Sequence, residues 1–187
     1  MIMNNEITLS DLNKNMSEIQ QSLKEVAIRF KDTDERFKET DRQIKKAIGL
    51  FETQWGKLME SLVEGDLVRI LQERGIAIRD TSSRRKGTYE GKQYEFDIIA
   101  HNGKEIVVVE VKTTLRVKHV KEHIDRLKQV KLWLKEYSRY KIYGAVAFLR
   151  AEEEADIYAQ NQNLFVIRAT GDSASILNPQ EFKPRIF

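Results

Sequence analysis

From Leu9 onward the apolar residues step by three and four without a break: Leu9, Leu12, Met16, Ile19, Leu23, Val26 and Phe30, then Phe37, Ile44, Ala47 and Phe51. With Leu9 at heptad position a, Met16, Leu23, Phe30, Phe37, Ile44 and Phe51 also fall at a, and Leu12, Ile19, Val26, Thr33, Thr40 and Ala47 fall at d. An apolar seam kept for about six heptads, with neither proline nor glycine before Gly49, is the pattern of a coiled coil. At about 1.5 Å per residue such a helix reaches on the order of 60 Å. Arg29 and Arg36 sit at g, and Asp34 and Asp41 at the e positions five residues later, the pairing that a parallel partner satisfies. The expectation is a homo-oligomer, most simply a dimer. Threonine at two d positions and phenylalanine at a leave a trimer, a tetramer or a bent helix open.

That segment is close to neutral, with 9 basic and 10 acidic residues from Met1 to Gln54, whereas Lys112 to Lys141 holds 10 basic against 3 acidic. The surplus suits a phosphate backbone; the plainer alternative is a lysine-rich solvated helix face. A chain of 187 residues, 41% of them apolar, has room for one compact domain beside the extension. The longest apolar stretches, Ile106 to Val111 and Gly144 to Leu149, are far shorter than the roughly 18 residues of a membrane helix. Met1 to Asn5 also lacks the basic and apolar regions of a signal peptide, so the expected location is the cytoplasm. With no cysteine, any metal must be held by oxygen or imidazole, and magnesium or manganese becomes the default cation.

Gly49 and Gly56 loosen the heptad pattern, and a second amphipathic helix is expected from Trp55 to Arg74, stopped by Gly75. Residues 1–54 are therefore assigned to an oligomerisation helix and 55–187 to a globular domain. In that domain the pattern predicts a short strand at Ile76 to Arg79, a polar loop at Thr81 to Lys86, and strands at Gln93 to His101 and Lys104 to Thr113. Asn102-Gly103 signals a hairpin between the last two. A basic helix with Val117, Val120, Ile124, Leu127, Val130, Leu134 and Tyr137 on one face follows. A strand at Ile142 to Leu149, a helix at Glu152 to Gln162 and a strand at Leu164 to Arg168 complete the pattern. The tail after Arg168 gives no clear signal.

Side chains alternate across a strand, so Glu95 and Asp97 share one face of the first hairpin strand, and Glu110 and Lys112 one face of the second. A two-residue turn at Asn102-Gly103 sets Asp97 opposite Val108 and Glu95 opposite Glu110, which brings all four groups to one face. Asp97 and Glu110 become diagonal neighbours, roughly 7–8 Å apart at the backbone and able to share one cation. The competing reading is an ion-pair cluster on a solvated sheet face.

Asp97, a hairpin, then Glu110-Val111-Lys112 at the end of an apolar strand resembles the D…(D/E)xK signature of the PD-(D/E)XK nuclease superfamily. The helix from Glu64-Gly65-Asp66-Leu67 to Arg74-Gly75 is similar to that of the archaeal-type Holliday junction resolvases and their relatives, whose glutamate lies at the position of Glu64. The match runs from about Trp55 to Arg168, with Phe96 standing where proline is frequent. The resemblance implies a restriction-endonuclease-like α/β fold: an αβββαβ core, with a mixed sheet flanked by helices, behind the long coiled-coil helix. It further implies a metal-dependent phosphodiesterase, with Asp97, Glu110 and the carbonyl of Val111 as ligands of magnesium or manganese. Glu64 binds a second metal or orients the water, and Lys112 positions the nucleophile or stabilises the phosphorane. The expected partner is nucleic acid, most readily DNA, contacted by Arg84, Arg85, Lys86, Lys118, Lys121, Lys128 and Lys131. The alternative is an oligomeric nucleic-acid-binding or scaffolding module that keeps the fold without turnover.

Other features read more plainly. Glu60, one turn before Glu64 on the same helix face, is the residue most easily mistaken for it. His119 and His123 have metal-ligand spacing without a third ligand, which favours a solvated helix face. Glu152, Glu153 and Glu154 read as first-turn acids that complement a helix dipole, Thr170 to Ser173 as a turn, and Trp55 and Trp133 as packing residues.

Overall fold

The structure, a computed structural model, describes residues 9–171 and 173–187. The segment Met1 to Asn5 and, in the Thr170–Ser173 turn, Asp172 lie outside the described residues. The chain divides into a unit ending at Phe51 and a second unit, Glu52–Phe187. Helix α1 spans Leu9–Gln72. Neither Gly49 nor Gly56 interrupts it, a correction to the two helices expected. One glycine costs a helix only about 1 kcal/mol, too little to stop one with good formers on both sides.

In the first unit the heptad positions are exposed, Leu23 at 63% and Phe30 at 73%. The hydroxyls of Thr33 and Thr40 at d donate to the carbonyls of Arg29 and Arg36 one turn back. Its charges pair within the helix, Asp32 with Arg36, Asp34 with Lys38 and Asp41 with Lys45.

In the second unit α1 turns its Met59, Val63, Leu67, Ile70 and Leu71 into a core. It ends as the glycine anticipates. Gly75 has φ +79, its amide donates to the carbonyl of Gln72, and the Ile76 amide donates to that of Leu71, the two bonds of a Schellman motif. The six strands are β1 (Asp80–Tyr89), β2 (Lys92–His101), β3 (Glu105–Leu115), β4 (Lys141–Ala151), β5 (Phe165–Thr170) and β6 (Ser173–Ile176). They lie in sequence order in one mixed sheet. The pairs β1–β2, β2–β3 and β5–β6 are antiparallel, and β3–β4 and β4–β5 are parallel. One face packs on α1 through Ile98, Val107, Val109, Ala145 and Ile167. The other packs, through Ile99, Val108, Val146 and Val166, on α2 (Val117–Leu127) and α4 (Ala155–Asn161). Each aliphatic side chain so buried contributes about 1.5–3 kcal/mol. The fold is the expected α/β sheet flanked by helices.

Four local expectations are corrected. Ile76 to Arg79 is not a strand; the strand is β1, which contains the Thr81 to Lys86 segment expected as loop. As the sheet's edge strand, β1 needs no apolar face to hold it. It joins β2 through Glu90-Gly91, both at positive φ, as a type I′ turn requires. The β2–β3 hairpin turns around Gly103-Lys104 instead of Asn102-Gly103, because the Asn102 side-chain oxygen accepts from the amides of Lys104 and Glu105. His101 then pairs with Ile106. The basic helix stops at Leu127, followed by α3 (Val130–Trp133) and a 3-10 turn (Lys135–Tyr137). Finally, α4 starts only at Ala155, after Glu153 and Glu154 at positive φ, and Glu152 binds Arg116 and Arg150 instead of a helix dipole.

The tail adds β6 and is tied back through Arg74, whose guanidinium donates to the carbonyls of Pro179, Asn178 and Ile176. Among the described residues no helix is long and apolar enough to cross a membrane.

Candidate active site

The site forms where β2 and β3 part. Their ladder runs from His101–Ile106 to Ile98–Val109 and stops, so the Val111 amide has no backbone acceptor on β2. The Asp97 carboxylate takes that amide instead, at 2.8 Å. Continued by one step, the observed register carries Asp97 to Glu110, not Val108.

Asp97 is also where β2 changes face. Phe96 belongs to the core under α2, whereas Ile98 and Ala100 belong to the core under α1, so strict alternation fails between them. Across the sheet edge Arg84, the residue of β1 opposite Asp97, has φ +53, and that one pair is missing from an otherwise continuous β1–β2 ladder. A left-handed residue in the middle of a strand is strained, and strain of this kind concentrates at functional sites. The strict alternation expected along this strand is thus corrected. Glu95 does not join the cluster either; it pairs with Lys86.

Glu110 and Lys112 lie two residues apart on β3, on the face under α2. Glu110 is only 4% exposed. One of its oxygens is 2.6 Å from Lys112 Nζ; the other is 2.5 Å from Arg126 Nη2 and 4.0 Å from His123 Nδ1. Lys112 Nζ also donates to the Val111 carbonyl at 3.2 Å.

The two neighbouring carboxyls are tuned apart. Burial, and then the negative charge of Glu110, push Asp97 up to about 6, against the lowering effect of its bond from the Val111 amide. Burial alone would raise Glu110 too, but the cationic groups around it bring it below its ordinary value. His123 is itself pushed by burial to about 4, so at neutral pH its ring is neutral and Lys112 and Arg126 hold the Glu110 charge.

The α1 carboxylates stand beside this cluster. Glu64 accepts from the hydroxyls of Thr81 (2.9 Å) and Ser83 (3.3 Å). Glu60 takes the Arg84 guanidinium in two hydrogen bonds, 2.7 and 3.0 Å, and its charge raises the Asp97 pKa.

Among the described residues no three carboxylates or imidazoles converge as a metal site. The candidate donors on this stretch of β2 and β3 are the Asp97 and Glu110 carboxylates and the Val111 carbonyl, all hard oxygens, with Asp97 on the Val111 amide and Lys112 bonded to both the Val111 carbonyl and Glu110. Hard oxygens of this kind suit a divalent cation in their chemistry, and the negative charge of Glu110 is one cause of the raised Asp97 pKa.

The remaining candidates fall elsewhere. His119 accepts the Arg116 amide through Nδ1, and His123, far from being solvated, is fully buried with Nε2 on the Val108 carbonyl, so the two share no metal. Arg85 pairs with Glu136, Lys128 with Asp125 and Lys131 with the Phe187 carbonyl; Lys121 lies over the Tyr158 ring, and Lys118 is exposed. Trp133 stacks on Tyr94 at 5.2 Å and Trp55 packs against the α1 core. The sequence reading missed Arg126 at Glu110. Only its place one turn after His123, which is buried, on a helix over the β3 face, pointed there.

Residues 59–172, well over half of the chain, match the family model described as archaeal Holliday junction resolvase. The chain belongs to this resolvase family. The match covers α1 from Met59, the whole site and β1 to β5. Solved structures similar to it include a repair endonuclease from Pyrococcus abyssi (TM-score 0.40, 17% identity, 56% of this chain and 44% of that one). Another is an EndoMS–dsDNA complex (TM-score 0.36, 16% identity, 55% and 42%). The chain thus spans about half or less of these proteins' lengths. No curated protein matches it.

Proposed function

We propose that this resolvase-family chain is a metal-dependent phosphodiesterase acting on DNA, and that it works as an oligomer assembled through α1 up to Phe51. The observation that carries the reading is the part-buried Asp97 near the buried Glu110, with Lys112 on Glu110, at the fork of β2 and β3. Asp97, Glu110 and the Val111 carbonyl would hold magnesium or manganese, which lowers the pKa of a water and offsets charge on the phosphate. The Val111 amide fixes the orientation of Asp97. Lys112, 2.6 Å from Glu110, keeps that carboxylate ionised and is placed to stabilise charge developing on the phosphate or to position the attacking water. Glu64, held by Thr81 and Ser83, serves a second metal or the water. Arg84, Arg85, Lys86, Lys118, Lys121, Lys128 and Lys131 supply phosphate contacts, so binding weakens with salt and is nearly indifferent to sequence.

One observation favours a second reading, a nuclease-fold module that binds nucleic acid without turnover: both Glu110 oxygens are occupied by side-chain cations. The test is incubation with single-stranded, duplex, flapped and four-way DNA, in magnesium, in manganese and in chelator. Cleavage in either cation and none in chelator supports the enzyme. Binding without cleavage in all of them selects the module. In the enzyme, Asp97→Ala and Glu110→Ala lose both cleavage and calorimetric manganese binding, while Lys112→Ala loses cleavage and largely keeps the cation, because an ammonium cannot be a ligand. Undiminished manganese binding in both carboxylate variants would remove this ligand assignment.

A further inference from the structure

The β1–β2 ladder runs on past the fork of β2 and β3, as far as the Tyr89–Lys92 pair. The end of that hairpin, with the last turn of α2 and with α3, lines a cleft of about 440 Å³. Clefts of roughly 300–1,000 Å³ suit a small organic group. The apolar walls are Tyr89, Trp133 and Leu132, which is exposed. Trp133 is held in place from behind: it stacks on Tyr94 at 5.2 Å with 9° between the rings. Tyr94 in turn lies against Gly87 of β1, where any Cβ would run into its ring. A ring fixed in this way has little rotamer freedom to lose when something stacks on it.

The cleft adjoins the candidate site through one side chain. Arg126 lines it, and the same guanidinium is 2.5 Å from the Glu110 carboxylate. A strand with a phosphate at Glu110 and Lys112 therefore carries a neighbouring nucleotide to the cleft. A phosphate does not suit the cleft itself, because Glu90 and Asp125 offset the charges of Lys92 and Arg126. A flat, uncharged aromatic group does. The carboxylates can accept from its amino groups, and Gln129 can both donate to it and accept from it.

We propose that this cleft takes up a nucleobase of the bound strand, stacked on the aromatic wall of Trp133 and Tyr89, and that the favoured substrate is DNA with an unpaired nucleotide. A paired base is stacked within the duplex and must first be extruded, at an unpairing cost that an unpaired base does not bear. The inference rests on the DNA reading above and not on the metal, since none of the groups that take up the base is a proposed ligand.

The test measures binding by the full-length protein in chelator, which prevents turnover, to three duplexes of one sequence. The first is fully paired, the second carries one unpaired adenine, and the third carries an abasic residue at that unpaired position. The wild type binds the unpaired adenine on the order of tenfold tighter than either of the others, the gain from one base–aromatic stack. Trp133→Ala and Tyr89→Ala lose this preference and keep their affinity for the paired duplex. Tyr89→Ala, at the hairpin end, decides alone if circular dichroism shows Trp133→Ala unfolded. With 2-aminopurine as the unpaired base, binding quenches its fluorescence in the wild type and not in the variants. Deoxyadenosine monophosphate, the same base without a strand, competes only weakly; displacement of the unpaired-adenine duplex at equal concentration would assign the cleft to free nucleotide and overturn the proposal. No preference for the unpaired adenine, or one that survives the abasic residue or the variants, overturns the base-binding role and leaves the nuclease reading standing. A wild type that binds none of the three duplexes overturns the DNA reading together with it.

Discussion

The first unit and the second use the same kinds of residue in opposite ways. Up to Phe51, α1 leaves its leucines and phenylalanines exposed and pairs its charges along its own surface. In the second unit Leu67, Val108 and Val146 are fully buried, and Glu110 is buried with its cations. An apolar stripe that water covers gains nothing until something else covers it. The buried set codes for the fold, and the exposed stripe is the surface that the proposed association would cover. A charge pair in water is worth little and can be rearranged freely, whereas a buried one is fixed until its partner is replaced.

The largest effect separates the two units directly. Leu67→Ala removes a fully buried leucine and should cost about 2–5 kcal/mol in a denaturant melt followed through the second unit. Leu23→Ala, at a 63% exposed a position, should leave that melt where it is and weaken self-association measured by sedimentation equilibrium. Equal destabilisation by both, or a wild type monomeric at micromolar concentration, would break the contrast.

The same contrast governs what could be read from the sequence. The helix of the first unit was legible because its apolar residues keep a three-and-four spacing, and the strands β3 and β4 because buried apolar runs have few other uses. Asp97, Glu110 and Lys112 were legible as a pattern, but their register was set two residues off by a side chain: Asn102 caps its own turn. β1 was hidden because an edge strand shows polar residues on both faces, and because Arg84 takes a conformation that its residue type does not announce. His123 and Arg126 were hidden by their setting in a basic helix, where a surface charge and a counter-ion for a strand 16 residues earlier look alike.

A smaller effect tests the buried charges through pH. Folding raises the Asp97 pKa from 3.8 to about 6, so the folded chain takes up a proton between those values. The stability this contributes is present in full below about pH 3.8 and is lost as pH rises through about 6, a span of about 3 kcal/mol at most. His123, lowered from 6.5 to about 4, runs the other way: its contribution is present above 6.5 and is lost as pH falls toward 4. The two partly cancel in the wild type, so the measurement is a difference. In chelator, Asp97→Asn should gain stability relative to wild type as pH rises from 4 to 7, and saturating manganese should remove the gain. A difference flat with pH would mean that Asp97 is no less at ease ionised in the folded chain than in the unfolded one. The first unit is the same in both proteins, so its groups, Glu39 with its lowered pKa included, cancel from this difference.

The smallest effect asks whether the exposed pairs of α1 are free to change partners. Asp34 bonds Lys38 and Asp41 bonds Lys45 within one helix, at 2.7 Å each, yet the heptad register sets the same aspartates against Arg29 and Arg36 of a parallel second copy. Exchanging one solvated pair for another changes the energy little, so Asp34→Asn with Asp41→Asn should shift the association constant only a few-fold and leave the second unit's melt unmoved. Reversal is more telling. Asp34→Lys with Asp41→Lys places like charges across a parallel interface and should weaken association, and adding Arg29→Glu with Arg36→Glu should restore it. In an antiparallel assembly these positions do not meet, and the four-fold variant should then recover nothing. Sedimentation equilibrium at low and at physiological salt decides between them, because a repulsion between solvated charges fades with ionic strength while a loss of helix does not.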